Sequence, residues 1–328
     1  MNRRASRYDI VTFGEGLIRL SPSRYERLEQ ATMFDVYAAG SELEVAAGAS
    51  RLGLRTAWLS KLTDNPLGRK ITNKAREHGV DTSGVCWVRD GRVGFFYVEP
   101  GSAPRATQVI DDRDRSAFSG VRSGEIDWSF LRESRLFHVG GTVPTLGPAC
   151  ADVTAEGVRA ARQAGCLISV SLDVPVDAVP DGQHPIPPLL EYADLLVITE
   201  AAAQLLFDVT GPAETVVTAL QARSGARVVA LAAGRLRTPR SGTWTGVVAA
   251  DTVYQDRPYD LEVIDASGTL SAFTAGFLYG YLTDGPEKGL RYGNAAAALT
   301  HSIPGNLTWV GEEEILGQLQ GEGGKLQR

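Results

Sequence analysis

With three cysteines, two methionines and four histidines in 328 residues, the chain has little material for redox or metal chemistry. Cys86, Cys150 and Cys166 are odd in number and widely spaced, so neither a disulfide framework nor a metal-knuckle spacing is present, and no metal site is expected from them. No apolar run reaches the length of a membrane span, and the opening Met1-Asn2-Arg3-Arg4-Ala5-Ser6-Arg7 lacks the apolar segment of a secretory signal. A net charge of −6 carries no basic excess, so neither nucleic acid nor an acidic membrane surface is an expected partner. Internal repeats and low-complexity tracts are also missing. A reduced, cytoplasmic protein is the expectation.

What is present is ordinary for a globular protein: 43% hydrophobic and 22% charged residues, in a length that suits one large α/β domain over residues 1–328. Strand and helix signals alternate. Asp9–Glu15 reads as a buried first strand, Ser41–Leu52 as an Ala-rich helix closed by Gly53, and Thr56–Ser60 as a strand. Asp64-Asn65-Pro66 opens a helix that Gly79 closes. Later strands are read at Arg135–Gly141, Leu167–Asp173, Ala193–Glu200 and Arg227–Leu231, with a helix over Ala151–Ala164 capped by Gly165. Asp177–Pro188 is Pro-rich and reads as a surface loop. This βαβ cadence predicts a mostly parallel, doubly wound sheet flanked by helices.

Between about 85 and 115 the cadence breaks. Val93–Val98 and Thr107–Ile110 are β-rich runs with no helix between them, the pattern of a hairpin standing off the main sheet. Such an apolar hairpin needs cover, and a lid over a site that doubles as a dimer contact would supply it. Part of residues 14–40 is a further candidate for the lid.

The stretch that organises the chain is Ile264-Asp265-Ala266-Ser267-Gly268-Thr269-Leu270-Ser271-Ala272-Phe273. It reads as a strand end, a glycine turn and a helix N-terminus, where unpaired amides and the helix dipole favour an anion. In the following helix Ala272, Gly276 and Gly280 form a small-residue stripe suited to close packing on a sheet, beside an aromatic stripe of Phe273, Phe277 and Tyr281.

Asp265 to Phe273 resembles the second signature of the ribokinase (PfkB) carbohydrate kinase family, Asp-Thr-x-Gly-Ala-Gly-Asp-x-Phe, without a gap. The resemblance extends over nearly the whole chain. Within the family it is nearest to 2-keto-3-deoxygluconate kinases, through Gly14–Pro22, Phe34–Tyr37, Leu62–Gly68, Gly79–Val85 and Arg92–Glu99. It implies a ribokinase-like fold with a small β lid, ATP and Mg²⁺ as cofactors, a sugar-like ligand and a homodimer built through the lid. It also implies roles for particular residues. Ser271 stands where the family has its catalytic Asp, and Gly268, Thr269 and Leu270 stand in the phosphate turn, with Leu270 in place of a glycine. Ala39-Gly40-Ser41-Glu42-Leu43-Glu44 matches the first signature, with Glu44 where a sugar-facing Asn belongs. Tyr97, Arg105 and Asp173 are sugar-side candidates. Asp112 and Arg113 match a family pair, or form a local ion pair. Glu200 and Gly234 lie on the nucleotide side, where Ala230–Arg235 and Pro304-Gly305-Asn306 depart from the family pattern.

A serine hydroxyl is no base at neutral pH, and a positioned base contributes about 10²–10⁴-fold. Phosphoryl transfer is therefore expected to be lost or strongly reduced while a sugar-like ligand still binds. Two alternatives stay open: a working kinase that recruits another base such as Asp265, and a different chemistry on a related metabolite. An ionised Glu44 accepts hydrogen bonds but cannot donate them, and it would repel an acidic sugar, so a polyhydroxy or amino ligand is favoured.

Overall fold

The computed structural model describes residues 6–173 and 187–321. In chain order its strands are β1 (Tyr8–Phe13), β2 (Leu17–Pro22), β3 (Phe34–Ala39), β4 (Thr56–Thr63), β5 (Val85–Val88), β6 (Gly94–Glu99), β7 (Gln108–Asp112), β8 (Ser134–Gly140), β9 (Leu167–Leu172), β10 (Leu195–Thr199), β11 (Val228–Thr238), β12 (Ser241–Ala249), β13 (Val253–Gln255) and β14 (Tyr259–Glu262). The helices are α1 (Ser41–Arg51), α2 (Pro66–Glu77), α3 (Thr142–Thr145), α4 (Pro148–Ala164), α5 (Pro187–Leu190), α6 (Glu200–Phe207), α7 (Ala213–Ser224), α8 (Thr269–Asp284), α9 (Pro286–Thr300) and α10 (Glu312–Leu319).

The main sheet runs β13-β12-β11-β10-β9-β8-β1-β4-β5, with β14 paired to β12. Pairings from β11 across to β5 are parallel, and the hairpin partners β12, β13 and β14 are antiparallel at one edge. The parallel strands are continuous apolar runs because helices cover both faces. Ile10, Val11 and Phe13 of β1 and Leu195 to Ile198 of β10 are fully buried. Each face carries its own apolar cluster, one around Phe13, Phe118, Phe137 and Leu231, the other around Trp244, Phe273, Phe277 and Leu290.

Element ends follow the local chemistry. The Asn65 side chain accepts from the amides of Leu67 and Gly68 and caps α2, with Pro66 in its first turn. Gly165 closes α4 in the left-handed region. Of the Pro-rich stretch 177–188 only Pro187 and Pro188 are described, and they open α5; the rest of that loop reading lies outside the described residues.

Helix α8 differs from expectation. Its small-residue stripe packs on α9 rather than on the sheet: a Cβ on Gly276 would lie 2.6 Å from the Tyr292 carbonyl, and one on Gly280 2.6 Å from the Gly289 Cα. The aromatic stripe stacks along the helix instead, with ring centroids 6.3 Å apart for Phe273–Phe277 and 6.0 Å for Phe277–Tyr281. An α8 that is apolar on every side is thereby buried between α9 and α1, with Phe273 reaching the Trp244 ring of β12.

A second sheet, β3-β2-β6-β7, stands apart from the first. The expected hairpin is there as antiparallel β6–β7, but β2 and β3 complete it, and β5 belongs to the main sheet. Side chains alternate across this small sheet. Leu17, Arg19, Tyr37, Phe96, Val98, Val109 and Asp111 line cavities on one face. Tyr97 and Ile110, opposite each other in register, belong to the other face.

Candidate functional site

A cavity of about 350 Å³ lies between the small sheet and the carboxyl ends of the main-sheet strands. Two helix N-termini meet on it. That of α1 brings Gly40, Ser41, Glu42 and Glu44, and that of α8 brings Gly268, Thr269, Leu270 and Ser271. Gly268 holds φ at 72°, and a Cβ there would sit 2.1 Å from the Asn306 carbonyl, so the turn requires glycine.

At the centre, the Ser271 hydroxyl donates to Glu44 Oε2 at 2.8 Å. The other oxygen, Oε1, accepts from the Gly40 amide and from Asn306 Nδ2, each at 3.0 Å. Glu44 is buried, and that burial raises its pKa against the pull of these three donors. A carboxyl group reaching in from α1 thus meets the side chain at position 271. Sequence spacing held no sign of this contact, because the two residues are 227 positions apart.

Glu42, also buried, takes the Gly140 amide on Oε1 at 2.9 Å. Desolvation pushes its carboxyl up to about 7, only partly offset by its hydrogen bonds from its own amide and from Gly140 and by Arg113. A carboxyl titrating near neutrality in a pocket can both donate and accept a proton. Glu15 receives the Arg113 guanidinium on Oε2 at 2.7 and 3.0 Å and the Ser116 hydroxyl on Oε1. Asp111 and Asp173 complete the acidic lining, and burial raises the Asp173 carboxyl. Five carboxyl side chains therefore face one lining cation, Arg113, which is already paired. Glu15, Glu42, Asp111 and Asn306 also belong to the site, though no local sequence pattern marks them for it. All four acquire the role only when strands and loops distant in sequence converge.

The structure brings Gly40, Glu44, Asp173, Gly268, Thr269, Leu270 and Ser271 together on this cavity. It places the other candidates elsewhere. Tyr97 projects to the far face of the small sheet, against Phe34 at 6.5 Å between ring centroids. Arg105 pairs with Glu99 at 2.6 Å and donates to the Tyr25 carbonyl at 2.9 Å. Asp112 pairs with Arg92, not with Arg113. Glu200, at the start of α6, pairs with Arg235 at 3.0 Å on the surface. Gly234 faces the Trp244 ring. Asp265 is a structural anchor: Arg19 contacts its Oδ2 at 2.7 Å, the Gly305 amide donates to the same oxygen at 3.0 Å, and the Ser267 amide donates to Oδ1 at 2.9 Å. Held by a buried guanidinium and two amides, it is no free base. Pro304-Gly305-Asn306 is not an eroded nucleotide contact alone, since Asn306 bridges Arg19 and Glu44 in the core of the site.

A mostly parallel sheet with helices on both faces, a small sheet over the strand ends and a helix N-terminal turn beneath it define a ribokinase-like α/β protein with a small-molecule pocket. The chain belongs to the pfkB family of carbohydrate kinases, whose model matches residues 7–307. It is 34% identical over 325 residues to a 2-dehydro-3-deoxygalactonokinase of Haloferax volcanii, covering 98% of this chain and 99% of the relative. A 2-dehydro-3-deoxygluconokinase of Bacillus subtilis is 29% identical over 313 residues, 94% of each chain. The crystal structure of the Thermotoga maritima 2-dehydro-3-deoxygluconokinase superposes with a TM-score of 0.90 at 26% identity, over 95% of this chain and 99% of that one.

ATP and Mg²⁺ go with that family, and the turn here fits them only in part. The first amides of α8 and the left-handed Gly268 suit a phosphate. The Glu44 carboxylate, however, already stands against Ser271 in the field of that helix end, and Leu270 lines the wall where the motif has glycine. Among the described residues no group of three or more His, Cys, Asp and Glu side chains is arranged to hold a metal ion. Among the described residues no helix is long and apolar enough to cross a membrane.

Proposed function

We propose that this pfkB-family protein binds a polyhydroxy or amino-bearing sugar in the cavity between its two sheets, and that ATP-dependent phosphoryl transfer to it is lost or strongly reduced. The observation that carries the reading is the 2.8 Å hydrogen bond from Ser271 to Glu44. At the position of the family's base stands a hydroxyl, and that hydroxyl is spent as a donor. The surrounding carboxylates accept hydrogen bonds from sugar hydroxyls and attract an ammonium group. The small sheet acts as the lid. Its outer face, with Phe34, Val36, Tyr97 and Ile110 partly or largely exposed, serves as the contact of a homodimer.

Calorimetry with a panel of neutral, amino and acidic sugars, followed by a coupled ADP-release assay, tests this. At least one sugar is expected to bind while ATP turnover stays some 10²–10⁴-fold below that of a working kinase, the contribution of a positioned base. Turnover in the 1–100 s⁻¹ range of ordinary kinases would end the reading. The same contact favours one second reading, in which Glu44 itself takes the proton of the acceptor hydroxyl. Turnover in the unmodified protein that disappears in Glu44→Gln would establish it.

A further inference from the structure

A row of polar side chains crosses the middle of the main sheet on the face that carries α1 and α8. Thr12 of β1, His138 of β8 and Ser169 of β9 lie opposite one another in register, and all three are fully buried. Ile10 and Leu136, two residues back along β1 and β8, belong to the apolar cluster on that face. Ser171, two residues on along β9, reaches the wall of the cavity.

His138 is neutral in this position, since burial alone pushes its pKa down to about 3. A neutral imidazole donates from one nitrogen and accepts at the other. Nδ1 lies 3.1 Å from Ser169 Oγ, and Nε2 lies 3.4 Å from Ser171 Oγ. The chain of hydrogen bonds can run in two directions. With the hydrogen on Nδ1, the ring donates to Ser169 and Nε2 accepts from Ser171, as a base beside a nucleophile does. The Ser169 hydrogen is then orphaned, because among the described residues its hydroxyl meets only His138. With the hydrogen on Nε2, Ser169 donates to Nδ1 and the ring donates to Ser171, and the chain leaves no hydrogen of its own unpaired. A buried donor without an acceptor is costly, so the second direction is the one the surroundings select. Thr12 makes no hydrogen bond among the described residues and does not alter the count.

We infer that Ser171 is a specificity-determining donor of the cavity and that His138 is the positioning residue behind it. The Nε2–H of His138 occupies one lone pair of Ser171 Oγ and sends the Ser171 hydrogen to an acceptor atom of the ligand, a hydroxyl or ring oxygen. Three further hydroxyls on the wall are spent on the protein: Thr269 donates to the Ala266 carbonyl, Ser271 to Glu44 and Thr274 to the Leu270 carbonyl. The inference rests on the sugar-binding reading above and deepens it. The carboxylates of the wall recognise donors on the ligand. Ser171 recognises an acceptor, and a sugar without an oxygen at that point leaves the donor unpaired.

The tautomer is read on the unliganded full chain by ¹⁵N–¹H correlation of its four histidines, the His138 signal being assigned through its perturbation in Ser169→Ala. A hydrogen on Nε2 and a bare Nδ1 are expected. A hydrogen on Nδ1, or covalent labelling of Ser171 by a fluorophosphonate with Nε2 as its base, overturns the relay whether or not any sugar binds. For whichever sugar of the panel binds, calorimetry then compares its monodeoxy and deoxyfluoro analogues. At one position, removing the oxygen should weaken binding roughly threefold to tenfold, the worth of a neutral hydrogen bond, and fluorine, which still accepts, should recover part of the loss. In Ser171→Ala that position should lose its effect while the others keep theirs. An unchanged pattern in Ser171→Ala overturns the donor role and leaves the sugar pocket standing. Failure of every sugar to bind overturns the pocket and the role of Ser171 in it together.

Discussion

Replacing Glu42 with glutamine keeps the acceptor for the Gly140 amide and removes a charge that burial makes costly. The native carboxyl titrates near pH 7 against an ordinary 4.5. At 1.36 kcal/mol per pKa unit, ionising it inside the folded protein costs roughly 3 kcal/mol more than in the unfolded chain. Between pH 4.5 and 7 the folded state keeps a proton that the unfolded state has released, so the contribution of Glu42 to stability falls as pH rises through that window. His138 and His78 slope the other way. Burial lowers them to about 3 and about 4 from an ordinary 6.5, so they cost stability as pH falls below 6.5. The difference between variant and unmodified protein cancels the histidines. Urea unfolding at pH 5 should therefore give nearly equal stabilities, and at pH 8 the glutamine variant should be more stable by roughly 3 kcal/mol. A stability difference that does not change from pH 5 to pH 8 would refute the claim that desolvation controls this carboxyl.

Asp265→Asn should cost about 3–5 kcal/mol, read as a lowered unfolding midpoint, because it leaves the buried Arg19 guanidinium without its counter-charge. Gly268→Ala should lose at least about 1–2 kcal/mol, and sugar affinity with it, since the turn needs a left-handed residue and has no room for a Cβ beside Asn306. Restoring the family motif with Ser271→Asp and Leu270→Gly should give little ADP release alone, because the new Asp would face Glu44 across a hydrogen-bond distance; adding Glu44→Asn should raise it. Ile110→Glu, on the outer face of the small sheet, tests the proposed homodimer contact: sedimentation velocity should then show monomer where the unmodified protein shows dimer, with sugar binding unaltered.

Local chemistry alone determined much of this protein. The βαβ cadence, the Asn65 cap, the Gly165 stop and the hairpin over β6–β7 all depend on residues a few positions apart, where spacing reports geometry directly. The glycine turn before α8 and its place in the cavity were legible for the same reason. Side-chain partnership was not. Tyr97 alternates away from the pocket because its neighbours Phe96 and Val98 face it. Arg105 and Asp265 are consumed by Glu99 and Arg19, and Ser271 is met by a carboxylate from 227 positions away. Those outcomes depend on which side chains the tertiary fold brings within about 3 Å, and a hydrogen bond, unlike a helix period, leaves no trace in the spacing of the residues that make it.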